Sequence, residues 1–279
     1  MTSYTNNTTT NNSNSYDDYS IYIETIQAPV IGKLFEALNA NVGSINLWFT
    51  PQNLTSVSSD PSQACECLLR LDNKNFETWY VENTFMVGIN VPILFKLIKD
   101  SIKAKNTLTM YVCKNDQKFY VRVNNDNSCD CSGVPILTLN PPDIRIPSIN
   151  YQTMISLPSH QFLQYCKTCG STGTEMVRII VNNELQQFTI ESIGVSNPAS
   201  KQITISGKSD TNLIFRSNTN NIFSGVFTLR FCHNIAKSCV MSEHVHIYME
   251  NGYPIVFQFD CGNLGSLKFF LYSKDEDLI

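Results

Sequence analysis

Short apolar runs, alternating or rich in β-branched and aromatic residues, recur along most of the chain. Leu68–Leu71, Thr107–Cys113, Phe119–Val123, Val177–Val181, Gln187–Glu191, Gln202–Ser206, His244–Met249 and Ile255–Phe259 are of this kind. Turn formers bound them at Asp72-Asn73, Lys114-Asn115-Asp116, Asn182-Asn183 and Asn251-Gly252. Such patterning, closed by tight turns, predicts strands of antiparallel sheets. Four segments break the rhythm and space their apolar positions as helices do: Pro29–Leu38, Pro92–Lys103, Ser159–Cys169 and Val226–Ser238. Proline stands at or just before the first turn of three of them, where its missing N–H costs nothing.

The order is strand, helix, strands, helix, strands, and then the same order again. It predicts an α+β fold of two similar domains in tandem, a repeat carried by element order rather than by identity. Residues 1–19 are almost wholly polar and read as a disordered tail. The first domain is expected over 20–136 and the second over 151–279. Between them, 137–150 holds three prolines among alternating apolar residues and reads as an extended connector.

Helical wheels give each helix an apolar face for a sheet. The inward residues are Val30, Ile31, Leu34, Phe35 and Leu38 in the first, and Leu94, Leu97 and Ile98 in the second. They are Phe162, Tyr165, Cys166 and Cys169 in the third, and Phe231, Cys232 and Ile235 in the fourth. The opposite faces carry Lys33 and Asn39; Lys96, Lys99 and Lys103; His160, Gln164, Lys167 and Ser171; and Arg230, His233, Asn234 and Lys237. Acids there are few, chiefly Glu36 and Asp100. Basic helix faces suit phosphate contact without base reading. They are also what any solvated helix face looks like.

Charge and composition narrow the choice. The formal net charge is −4 and the pI about 5.6, so attraction to nucleic acid must come from a local face. No run approaches the ~20 apolar residues that span a bilayer, and the N-terminus has neither the basic nor the apolar region of a secretory signal. The ten cysteines are then expected to be reduced thiols in an intracellular compartment. Cys166-x-x-Cys169 fits a redox or zinc half-site, or core packing, since both thiols share the inward face. Cys65-x-Cys67 and Cys129-x-Cys131 lack zinc-finger spacing. His244-x-His246 puts two rings on one strand face without a completing ligand pair. No phosphate loop, nucleophile elbow or His-Glu-x-x-His motif occurs. A thiol or zinc enzyme is the alternative of a different class; otherwise no catalysis, metal or cofactor is expected.

Gly88-Ile-Asn-Val-Pro-Ile-Leu-Phe-Lys-Leu-Ile-Lys99 resembles a strand and the second helix of the proliferating cell nuclear antigen family of DNA sliding clamps. Gln27–Leu38 resembles the family's first helix. Ile146-Pro147, Tyr151 and Leu157-Pro158 resemble the end of its interdomain connector and the start of its second domain. Gly265–Lys274 with acidic Asp275–Asp277 resembles its C-terminus. The match is colinear from about residue 20 to 279, with small insertions near 125 and 197. It implies a non-enzymatic ring, a homotrimer, with helices lining the hole and sheets outside. It implies a processivity factor that encircles duplex DNA, is opened by a clamp loader, and tethers DNA polymerase and other proteins bearing a short docking peptide. The implied place is the nucleus, or a cytoplasmic replication site if the chain is viral.

Carried over by position, the DNA-facing residues are Lys33, Lys96, Lys99, Lys103, His160, Gln164, Lys167, Arg230, His233 and Lys237. Asn39, Gln164 and Ser171 stand where the family usually has cations. The peptide pocket would use Ala64, Ile144, Ile146, Pro254, Phe270, Tyr272 and Ser273, with Ser59 and Glu66 more polar than usual. Subunit contact would join Ser132, Val134 and Ile136 to Lys201, Ile203 and Ile205, edge to edge. A checkpoint-ring subunit or a monomeric processivity factor of the same fold is the nearer alternative.

Overall fold

The computed structural model describes residues 16–103, 105–125, 127–141, 149–194, 200–210 and 212–274. The first half holds β1 (Tyr19–Thr25), α1 (Ala28–Asn41), β2 (Ser44–Phe49), β3 (Asn53–Ser59), β4 (Cys65–Asp72), β5 (Thr78–Val81), β6 (Phe85–Asn90), α2 (Val91–Ile98), β7 (Thr107–Cys113), β8 (Lys118–Asn124) and β9 (Cys129–Pro135). The second holds β10 (Thr153–Pro158), α3 (Ser159–Gly170), β11 (Met176–Asn182), β12 (Gln187–Ile193), β13 (Gln202–Ser206), β14 (Ile214–Ser217), β15 (Ile222–Thr228), α4 (Leu229–Ala236), β16 (His244–Met249), β17 (Ile255–Cys261) and β18 (Gly265–Leu271). The two halves have the same element order. Short 3₁₀ turns follow β4 and α4.

Local chemistry explains most boundaries. Pro29 sits in the first turn of α1. Asn90 caps α2, its Oδ1 accepting from Ile93 N at 3.0 Å. Two expectations are corrected. The fourth helix starts at Leu229, not Val226, because Val226 pairs with Arg178 inside the ladder of β15 and β11. A β-branched residue between two apolar neighbours satisfies either period, and the sheet wins. The second helix ends at Ile98, and Leu97, expected inward, is 44% exposed.

Three sheets form. One has nine strands in the order β14-β10-β16-β17-β18-β4-β3-β2-β6. Five of its strands come from the second half and four from the first, joined where β18 meets β4. Leu267 pairs there with Leu69, and Phe269 with Cys67. All four side chains lie in the core. Gly265 is required at this seam, since a Cβ on it would stand 2.1 Å from the Arg70 carbonyl oxygen. The other sheets have five strands, β5-β1-β7-β8-β9, and four, β13-β12-β11-β15. They end in free edges at β9 and β13.

The helices pack against the sheets' inward faces and neighbour one another in the order α2, α1, α4, α3. The halves meet where α1 touches α4 and the 3₁₀ turn Lys237–Val240. Asn41 Nδ2 donates there to Ser238 Oγ at 3.3 Å. Rings such as Phe162 against Phe257 (5.2 Å) fill the space between layers, each such burial stabilising by roughly 1.5–3 kcal/mol.

Candidate nucleic-acid interface and contact edges

The helix layer turns its polar side away from the sheets. Lys33, Lys96, Lys99, Lys103, His160, Gln164, Lys167, Arg230 and Lys237 are exposed on it, and His233 is half-buried. Their inward neighbours fix their direction, because Ile31, Leu94, Cys166 and Cys232 are fully buried on the opposite faces. Lys33, Lys99 and Lys103 line one groove between α1 and α2, together with Glu36 and Asp100. Arg230 and His233 line the corresponding groove between α3 and α4, with Glu175. Arg230 lies over the Phe231 ring at 5.0 Å, and Lys237 Nζ donates to Asn234 Oδ1 at 3.1 Å. Among the described residues none of these cations is closed in an ion pair. The face can therefore offer charge to a polyanion without first breaking an internal partner.

The expected peptide pocket is only partly described. Ile144 and Ile146 lie outside the described residues. Phe270 and Pro254 are buried, Ala64 and Tyr272 half-buried, and Ser273 exposed. Phe270 lies on the sheet face away from the helices, opposite Val256 and Glu66. Tyr272 N donates to Ala64 O at 3.0 Å, and Tyr272 OH donates to Glu66 Oε2 at 3.2 Å. Burial raises the Glu66 pKa, and this hydrogen bond partly offsets it. Tyr151 OH donates to Pro254 O at 3.0 Å. The start of the connector is pinned at the edge of the same sheet, on β6 and β2: Leu137 N donates to Gly88 O at 2.8 Å and Asn46 Nδ2 to Leu139 O at 3.3 Å.

The expected contact residues fall on the two free edges. Ser132 and Val134 lie on β9, with Ile136 just beyond; Ile203 and Ile205 lie on β13, with Lys201 just before. Val134 is buried in the core and anchors its strand rather than facing outward. Sequence reasoning missed a third element. Ile93 and Leu97 are 53% and 44% exposed on α2. Superposing Gly88 on Val226 puts them where α4 has Phe231 and Ile235, which are buried at the junction of the halves.

The chemistry of the alternative enzyme is not assembled. Burial pushes the Cys166 thiol well above its usual pKa and raises Cys169 too, the reverse of a nucleophilic thiol. His246 Nε2 stands 3.5 Å from Asp260, but no group of three or more metal-ligating side chains occurs among the described residues. The fold and this surface define a two-repeat scaffold with a cationic helical face.

Residues 145–274 match the family model "Proliferating cell nuclear antigen, C-terminal domain". The chain is 26% identical over 257 residues to the "Probable DNA polymerase sliding clamp 1" of Paramecium bursaria Chlorella virus 1, covering 91% of this chain and 97% of that one. It is 25% identical over 261 residues to the proliferating cell nuclear antigen of Dictyostelium discoideum, covering 90% and 98%. The crystal structure of the Entamoeba histolytica counterpart superposes with a TM-score of 0.83 at 19% identity, over 92% of this chain and all of that one, and shows the shared fold. Residues 145–274 thus match the C-terminal domain of the proliferating cell nuclear antigen family, and about nine tenths of the chain is similar to sliding clamps of that kind.

Proposed function

We propose that copies of this chain close into a homotrimeric ring around duplex DNA and tether a DNA polymerase to it. One observation carries the ring. Each chain contains a complete nine-stranded sheet and the two parts, five strands and four, of a second. Pairing β9 of one copy with β13 of the next would rebuild the nine-stranded arrangement and leave neither edge open. The same step would cover Ile93 and Leu97, as the equivalent positions of α4 are covered within the chain. Such a contact is head-to-tail, so it closes into a ring when the rotation allows. The number three rests on the family.

The helix faces would then line the hole. Their cations meet phosphates without reading bases, which permits sliding. Asn39, Gln164 and Ser171 thin that lining, so the contact is weak, mobile and salt-sensitive. Partners would dock by peptide on the outward face around Phe270 and Tyr272, beside the connector. The clamp would act in a nucleus, or at a viral replication site. A processivity assay tests the proposal: with a clamp loader, a polymerase should make longer products on primed DNA when the chain is added. Unchanged product length would overturn it.

A further inference from the structure

The register of the seam inside the chain can be carried to the free edges, because the halves match strand for strand. The bridges Gly88–Leu137 and Val226–Lys274 are equivalent. They lay β9 on β18 with Asp130 in the place of Leu267 and Ser132 in that of Phe269. The ladders running from Gly88 and Val226 lay β13 on β4, with Lys201 in the place of Cys67 and Ile203 in that of Leu69. Within the chain, Leu267 pairs with Leu69 and Phe269 with Cys67. Between copies, Asp130 therefore stands opposite Ile203, and Ser132 opposite Lys201.

We propose that Asp130 of one copy and Lys201 of the next form an ion pair across the seam, and that this pair sets the register and partner choice of the ring. The inference rests on the self-assembly reading above. The two residues lie on one diagonal of the same sheet face, and diagonal neighbours are within reach of a long side chain. Both point to the helix side. Asp130 accepts a hydrogen bond from Ser101 Oγ beyond the end of α2. Lys201 lies near enough to Cys169 of α3 for its charge to act on that thiol. Both are exposed in the single chain, and neither has an ion-pair partner among the described residues. Ser132 is small, which leaves room for the lysine stem to cross toward the carboxylate. Closing the seam against Ile203 would strip water from Asp130, a cost that an opposite charge offsets. The inner seam is apolar at these positions and permanent. A charged seam instead rejects misaligned pairings and responds to salt.

Charge reversal tests this, read by light scattering after size exclusion on the full chain. Wild type should assemble, and D130K or K201D alone should raise the concentration for half-assembly by about tenfold or more. The double variant D130K/K201D should recover most of the loss. A wild type that stays monomeric at every concentration removes the ring reading itself. Assembly of wild type and both single variants alike overturns the ion pair, as does failure of the double variant to recover. Circular dichroism confirms that each variant is folded before its result is counted.

Discussion

Gly88 owes its identity to a carbonyl. A Cβ there would stand 2.1 Å from Leu137 O, so only glycine lets the chain cross β6 as it leaves β9. Gly88→Ala should lower unfolding stability by about 1–3 kcal/mol, measured by urea titration; unchanged stability would refute the crossing. Asp60 shapes the turn between β3 and β4. Burial works against its carboxylate, but bonds from Ser62 and from Cys65 N at 2.7 Å outweigh this, and its pKa falls below the ordinary value. A depressed carboxylate stabilises above its unfolded pKa, and that contribution is lost as pH falls through the folded value. Asp60→Asn should therefore flatten the acid limb of the stability profile. Thiols divide by environment too. Burial pushes Cys67 and Cys261 up to about 12, while Cys129 and Cys131 are exposed. An alkylating reagent at neutral pH should mark Cys129 and Cys131 in the native protein. Prompt labelling of Cys67 would contradict the packing.

Among the elements, the helices state the functional case most directly. Replacing Lys96, Lys99 and Lys167 by alanine should weaken retention on DNA. It should also reduce the salt slope by up to ~0.9 for each phosphate that is no longer neutralised. An unaltered slope would remove these residues from the interface. Alternation and helical spacing made most elements legible in the sequence, including both helices of each half and the outward cations. The failures are instructive. Val226 fits both periods, and only its partner strand decides. Leu97 reads as core because helical spacing alone cannot tell an apolar residue packed on its own sheet from one left on the surface, where Leu97 is 44% exposed. Phe270 was legible as apolar, but its place on the outer sheet face depends on its pairing with Val256. Substituting both Ile93 and Leu97 with glutamate should leave a folded monomer, since each is already solvated in the single chain.

At the scale of the whole molecule, the sequence shows the repeat but hides the seam. The pairing of β18 with β4 joins residues nearly two hundred positions apart, and no local period encodes such a partner. The consequence of that seam is a division of labour between two otherwise similar joints. The inner one is closed by Leu267, Leu69, Phe269 and Cys67; at the equivalent positions the outer one, in the proposed ring, offers Asp130, Ser132, Lys201 and Ile203. Raised salt should therefore dissociate copies before it disturbs either half, visible as a loss of mass at constant circular dichroism.

Tyr16 adds a practical consequence. Its ring stacks on Tyr80 at 5.3 Å and tilts against Tyr22 at 5.2 Å, so residues 16–19, which polarity assigns to the tail, are fastened to the sheet. Tyr22 alternates with the core residues Ile21 and Ile23, which puts this aromatic row on the side away from the helices. Anything fused upstream starts from that side. In the proposed ring, a fluorophore or affinity handle at the N-terminus would ride outside the bore, giving single-molecule tracking a point of attachment that leaves the passage for DNA clear.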